Sequence, residues 1–219
     1  MQQIFQFLKD IAGNNNREWF AAHRAEYDAA MQTFNAHVGT LIRDIAKFDP
    51  EVAPVTVKET LYRFYRDTRF SPDKSPYKRH FGAYINAHGK KSFYGGYYLH
   101  IQPSSCMLGV GGYDLPADAL RAVRQDIVNH VDTFHAIMEE PRLKALKPVL
   151  GISRLKTVPK GFPRDFAHPE YIRPKDYSLS IDLPDDIFFK KDWEQQVADI
   201  FRLTRQFLQF INPILEDYL

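Results

Sequence analysis

Cysteine is almost missing from this chain: Cys106 is the only one in 219 residues. A lone thiol closes no internal disulfide, and the N-terminus MQQIFQFLKD lacks a basic stretch followed by an apolar run, so the sequence reads as a cytoplasmic protein with a reduced thiol. No apolar stretch approaches the roughly 20 residues that cross a bilayer. Zinc-type spacing is missing too: there is no H-E-x-x-H and no cysteine pair, and the eight histidines are scattered. Neither phosphate loop, G-x-x-x-x-G-K-[ST] or G-x-G-x-x-G, occurs, and Ser71 and Ser75 lack a G-x-S-x-G elbow. No metal or cofactor is implied. Charge of one sign is also scarce, since 29 Lys and Arg against 27 Asp and Glu leave a net charge of +2. That argues against a broad basic face for duplex nucleic acid.

Aromatic residues are plentiful. The 17 Phe and 12 Tyr within a 44% hydrophobic composition predict an aromatic core, and the length with no visible linker predicts one domain over 1–219. Ile4, Phe5, Phe7, Leu8 and Ile11 recur at helical spacing and stop at Gly13. A long amphipathic helix follows from Arg17 to Ile45, with Asn16 as its N-cap. Pro116 to Glu140 predicts a second long helix that Pro141 ends, and Asp192 caps a final one through Ile211. Between these, Leu61–Asp67, Phe81–Ala87, Ser92–Gln102 and Cys106–Tyr113 read as consecutive antiparallel strands, with Tyr177–Leu183 as one more. Leu143 to Pro174, with five prolines, reads as a crossing loop containing one short helix. The class is therefore α+β: a central antiparallel, meander-like sheet flanked by N-terminal, middle and C-terminal helices. Gly109, Gly111 and Gly112 mark a bulge or tight turn, and Cys106 reads as a buried, inert thiol.

Charge is concentrated in one place. From Lys58 to His80 there are seven basic and three acidic residues, leaving 22 basic and 24 acidic for the rest of the chain. Here Arg63, Arg66, Arg69, Lys74, Lys78 and Arg79 alternate with Tyr62, Tyr65, Phe70 and Tyr77, a mixture of guanidinium forks, ammonium groups and flat faces suited to a phosphate- or carboxylate-bearing ligand. The candidate ligand contacts are Arg63, Arg66, Arg69, Lys74, Tyr77 and Lys78, with Asn15 and Arg17 from the carboxamide-rich turn before Trp19 and Tyr98 from a strand. Asp67 and Asp73 are candidates for acting on a bound group, yet the same carboxylates also suit a purely structural task, pairing with arginines to pin a loop whose path Pro72 and Pro76 fix. If 61–67 is extended, Arg63 and Tyr65 face one way and Tyr62, Phe64 and Arg66 the other. His100 is the histidine placed for acid–base chemistry, sharing a strand face with Tyr98 opposite Tyr97, and a satisfied structural imidazole is the competing reading.

Several runs carry a resemblance: NNNREWF at 14–20, YRFYRDTRFSPDKSPYK at 62–78, GGYYLHIQP from Gly95, GVGGYDLP before the middle helix, and PKGFPRDFAHPEYI with Gly161, His168 and Pro169. Together they resemble the family catalogued as domain of unknown function 2461, small bacterial and eukaryotic proteins of nearly this length. The resemblance implies a family and carries no activity, substrate or cofactor.

Three functional readings follow. The first is an enzyme or binding protein for a small phosphorylated or carboxylated ligand. The second is a nucleic-acid accessory protein whose tyrosines and Phe70 stack on bases of a short single strand. The third is an interaction protein whose basic loop meets an acidic partner. A local excess of four positive charges favours the first.

Overall fold

The computed structural model describes residues 1–219, and a single cluster of 48 buried apolar side chains forms its core. The chain begins with α1 (Gln2–Gly13), α2 (Arg17–Ala22) and α3 (Arg24–Ala46), followed by a 3-10 turn at Pro50–Val52 and the short α4 (Val57–Thr60). Strands β1 (Phe81–Ile85), β2 (Gly96–Ile101) and β3 (Cys106–Gly112) form a meander. Helices α5 (Ala117–Asn129), α6 (Val131–Met138) and α7 (Pro141–Ala145) lead to β4 (Val149–Leu150), and α8 (Pro169–Ile172) precedes β5 (Tyr177–Leu183). A 3-10 turn at Asp185–Phe189 and α9 (Trp193–Glu216) complete the fold.

All five strands pair antiparallel in the order β1-β2-β3-β5-β4. The strand alternation decides what each face does. Tyr97, Leu99 and Ile101 on β2 are fully buried, as are Leu108 and Val110 on β3 and Leu179 and Ile181 on β5. They meet the helices: Tyr97 packs edge-on against Phe201 of α9 with ring centroids 5.2 Å apart, and Phe81 of β1 meets Phe34 of α3 at 5.4 Å. The alternate positions form rows across the opposite face. Tyr84, Tyr98, Gly109, Ser180 and Val149 make one row, and Gly82, His100, Met107 and Asp182 the next.

The α+β class and the flanking helices match the sequence reading, as do the Asn16 cap and the buried Cys106. Asn16 Oδ1 accepts from the Trp19 amide at 2.8 Å. Burial pushes the Cys106 thiol up to about 12, where it stays protonated.

Several boundaries differ. Leu61–Asp67 is not a strand: it makes only isolated bridges, Leu61 with Ala83 and Tyr65 with Tyr77. Beyond Tyr62 the backbone turns onto its own loop, with the Arg66 amide donating to Pro76 O and the Lys78 amide to Phe64 O, each at 2.9 Å. Phe64 is thereby driven into the core beside Phe7 and Tyr27, an aromatic plug that mimics a strand in composition. The two long helices are each broken at a histidine, His23 and His130, whose Nδ1 atoms lie 2.8 and 3.2 Å from the carbonyls of Trp19 and Asp126 four residues back. Such side-chain bonding to the preceding turn competes with the helical ladder. Pro141 does not simply end the middle helix, because it opens α7 at the first helical position, where its missing N–H costs nothing. Asp192 flanks α9 without side-chain capping, its carboxylate taking the Gln196 amide instead. The crossing segment also contributes β4, which had no pattern long enough to read.

Candidate functional site

A cleft of about 490 Å³ lies over the sheet face that points away from the helical core. None of the residues lining it belongs to a helix. Its floor is Tyr84, Tyr98, Met107, Gly109, Ser178 and Ser180, and its walls include Tyr62, Lys78 and His80 on one side and Tyr113, Asp114 and Ile152 on the other, with Lys90 and Lys91 from the β1–β2 connection.

Tyr98 shapes the floor by lying down on it. A Cβ at Gly82 would sit 2.8 Å from Tyr98 Oη, and one at Gly109 would sit 3.2 Å from Tyr98 Cβ, so both neighbours are glycines that leave the ring room to tilt along the sheet. Tyr98 Oη then reaches His100 Nδ1 at 2.9 Å. The His80 ring packs on the His100 ring with centroids 4.1 Å apart, and Tyr62 stands edge-on to Tyr98 at 6.0 Å. Tyr84 Oη is 2.7 Å from Tyr94 O and 2.8 Å from Gly111 O, its proton shared between the two carbonyls.

The electrostatics follow from partial burial beneath this aromatic wall. Burial, reinforced by His100 and Lys78 nearby, lowers His80 to about 3, and burial also lowers His100, so both imidazoles are neutral near pH 7. Burial raises the hydroxyls of Tyr62, Tyr84 and Tyr98. Lys78 is lowered by burial first and by Arg63 second, and its Nζ sits 5.3 Å from the Tyr62 ring centroid. A half-desolvated ammonium over an aromatic face, next to another cation and with no carboxylate in an ion pair, can gain from an incoming anion.

The residues named from sequence separate into three places. Lys78 and Tyr98 line the cleft, and His100 adjoins it through Tyr98 and His80. Arg66, Arg69, Asp67 and Asp73 belong to the loop before Tyr77. Arg66 Nη1 donates to Ser75 O at 3.0 Å and pairs with Asp73 Oδ2 at 2.7 Å, while Nη2 donates to Ser71 Oγ at 3.2 Å. Arg69 forks onto Asp67, with Nη2 to Oδ2 at 2.7 Å, and this hydrogen bonding holds the Asp67 carboxyl down to about 2. Hydrogen bonds from Ser75, with the Arg66 charge behind them, lower Asp73. Carboxylates so stabilised are weak bases. Asn15, Arg17 and Lys74 gather on the flank of that loop, where Asn15 brackets Tyr77, its amide donating to Tyr77 O at 2.9 Å and its oxygen accepting the Tyr77 N–H at 3.0 Å. Tyr77 itself is buried and stacks on Phe20 at 4.1 Å. Arg63 is exposed beside Lys78.

Sequence reasoning missed His80, Tyr84, Ser178 and Ser180 as cleft residues. A signal was present in the Y-S-L-S-I-D-L run of β5, whose polar residues alternate with apolar ones and so mark a strand with one face off the core. Which strand it joined was not legible, because the β3–β5 pairing spans the whole α5–α8 insertion.

The fold and this cleft define an α+β protein whose antiparallel sheet carries helices on one face and a tyrosine-lined hollow on the other. The chain belongs to the family described as conserved hypothetical protein (DUF2461), which it matches over residues 3–210. No curated protein and no solved structure matches it.

Proposed function

We propose that the protein binds a small ligand carrying a phosphate or carboxylate and a flat apolar part, in the cleft on the helix-free sheet face. The observation that carries this reading is the convergence of Tyr62, Tyr84, Tyr98 and Tyr113 with Lys78, Lys90 and Lys91 around one hollow that has a single carboxylate, Asp114. Its volume of about 490 Å³ suits a small molecule. Lys78 takes the anionic group, where low polarity strengthens a charge-assisted hydrogen bond. Tyr62 and Tyr98 hold the flat part, and Ser178 and Ser180 supply hydroxyls along the floor. Segment 62–80 serves the site through Tyr62, Lys78 and His80, while Arg66, Arg69, Asp67, Asp73, Asn15 and Tyr77 fix the loop that leads into it.

The hydrogen bond between Tyr98 and His100 favours an acid–base role over passive binding. Tyr98 Oη can take a proton from a bound group as its own proton moves along that bond to His100 Nδ1, leaving an imidazolium that gives its proton up before the next turnover. The buried, protonated Cys106 and the missing membrane-length helix suit the cytoplasm as the place of this activity.

A thermal-shift panel of sugar phosphates, nucleotides and aromatic carboxylates against wild type and Lys78→Met tests the reading. A true ligand at 100 times its Kd adds about 2.7 kcal/mol of stability. The expected result is a shift confined to anionic ligands and lost in Lys78→Met. No shift for any anion, or a shift that survives Lys78→Met, contradicts it.

A further inference from the structure

The loop from Arg66 to Pro76 lies outside the cleft and has its own construction. Besides the Arg66 and Asp67 contacts, Lys74 Nζ donates to Thr68 O at 2.9 Å and Asp73 Oδ1 accepts the Ser75 amide at 2.9 Å, so side chains tie the loop to itself along its length. At its tip Phe70 is 94% exposed, with the Arg69 guanidinium 5.8 Å from its ring centroid. Burying that phenyl ring against the flat face of a partner would be favourable, and the loop's ion pairs and hydrogen bonds hold it in place to do so.

On the loop's flank is a second, shallow hollow of about 630 Å³ lined only by polar residues and Pro76, with Arg17 and Lys74 as its cations and no carboxylate. Arg66 and Arg69 have carboxylate partners, whereas Arg17 and Lys74 have none. Thr68 lines this hollow two residues before Phe70, and two residues span at most about 7 Å, so the hollow and the ring are neighbours.

We infer that this loop binds a short single strand of nucleic acid, two successive phosphates lying against Arg17 and Lys74 and a base stacking on Phe70 beside Arg69. An exposed ring with a guanidinium at its side matches a base, whose flat face tolerates any sequence. One apolar side chain above a polar hollow is too little to enter a bilayer. A duplex is disfavoured because its bases are already stacked and the local charge excess is small. The inference is independent of the cleft, since Phe70, Arg17 and Lys74 take no part there.

Fluorescence anisotropy of labelled ten-nucleotide dT and rA strands with the full chain, from 25 to 200 mM NaCl, tests it. Saturable binding at low salt is expected, with log K falling against log salt at a slope of about −1.4 for two phosphates. Phe70→Ala, at a solvent-exposed position that leaves the core untouched, should weaken binding about tenfold, and Lys74→Ala or Arg17→Ala should reduce the slope by about 0.7. Absence of binding at 25 mM NaCl, indifference to Phe70→Ala, equal affinity for a ten-base-pair duplex, or retention by anionic vesicles in place of the strands would each overturn the inference.

Discussion

Tyr98 Oη lies 2.9 Å from His100 Nδ1, two residues along the same strand, because both side chains leave β2 on the face without helices. Strand alternation alone puts them on one side. The contact needs Gly82 and Gly109 as well, since a methyl group at either would press on the Tyr98 ring and lift it from the sheet.

Acid should expose the neutral histidines. Burial lowers His80 to about 3 and also lowers His100, so the folded protein binds fewer protons at these sites than the unfolded chain. Their stabilising contribution is complete above the unfolded value near 6.5 and is lost as the pH falls below it, by at most about 1.4 kcal/mol per unit and per histidine, and less where water reaches the ring. Urea unfolding at pH 7, 6, 5 and 4 should show a shallower loss in His80→Asn than in wild type. Equal slopes would mean that His80 titrates normally in the fold.

The glycines of the sheet should differ in cost. At Gly82 an added Cβ meets the far end of Tyr98, a side chain that can move, so Gly82→Ala is expected to cost under about 1 kcal/mol while disturbing the cleft. At Gly111, with φ of +123°, the Cβ would sit 2.2 Å from Tyr177 O, so Gly111→Ala should cost about 3 kcal/mol. Midpoints of chemical denaturation give the ranking directly. A reversed order would show that the backbone at Gly111 relaxes freely.

Asn15→Ala removes both hydrogen bonds that bracket Tyr77 and should destabilise the protein by about 2 kcal/mol. Amide exchange should then speed up at Tyr77, whose N–H loses its acceptor. An unchanged exchange rate there would place the anchoring of the loop in the Phe20 stack instead.

Particular residues explain what the sequence disclosed. In α1 and α9 the apolar spacing is unbroken, and Ile4, Leu8, Phe201 and Ile211 are all buried as their periodicity required. The breaks at His23 and His130 carried no proline or glycine to announce them. Leu61–Asp67 had the aromatic content of a strand, yet Phe64 fills the core while its backbone pairs with its own loop. For the cleft, Lys78, Tyr98 and His100 were visible as residue types in suggestive places. Tyr84, Ser178 and Ser180 join them only through the strand register and His80 only through its contact with the His100 ring, and the β3–β5 pairing is a long-range contact that no local pattern encodes.

The central claim is that the helix-free face is where a small anion binds, and amide chemical-shift mapping tests it most directly. Uniformly ¹⁵N-labelled protein would be titrated with the ligand that gives the largest thermal shift, and the perturbed amides placed on the fold. The account predicts saturable shifts at Gly82, Tyr98, Gly109, Ser178 and Ser180, lost in Lys78→Met. Shifts confined to the Arg66–Pro76 loop or to the helical layer, with the sheet amides unmoved, would contradict it.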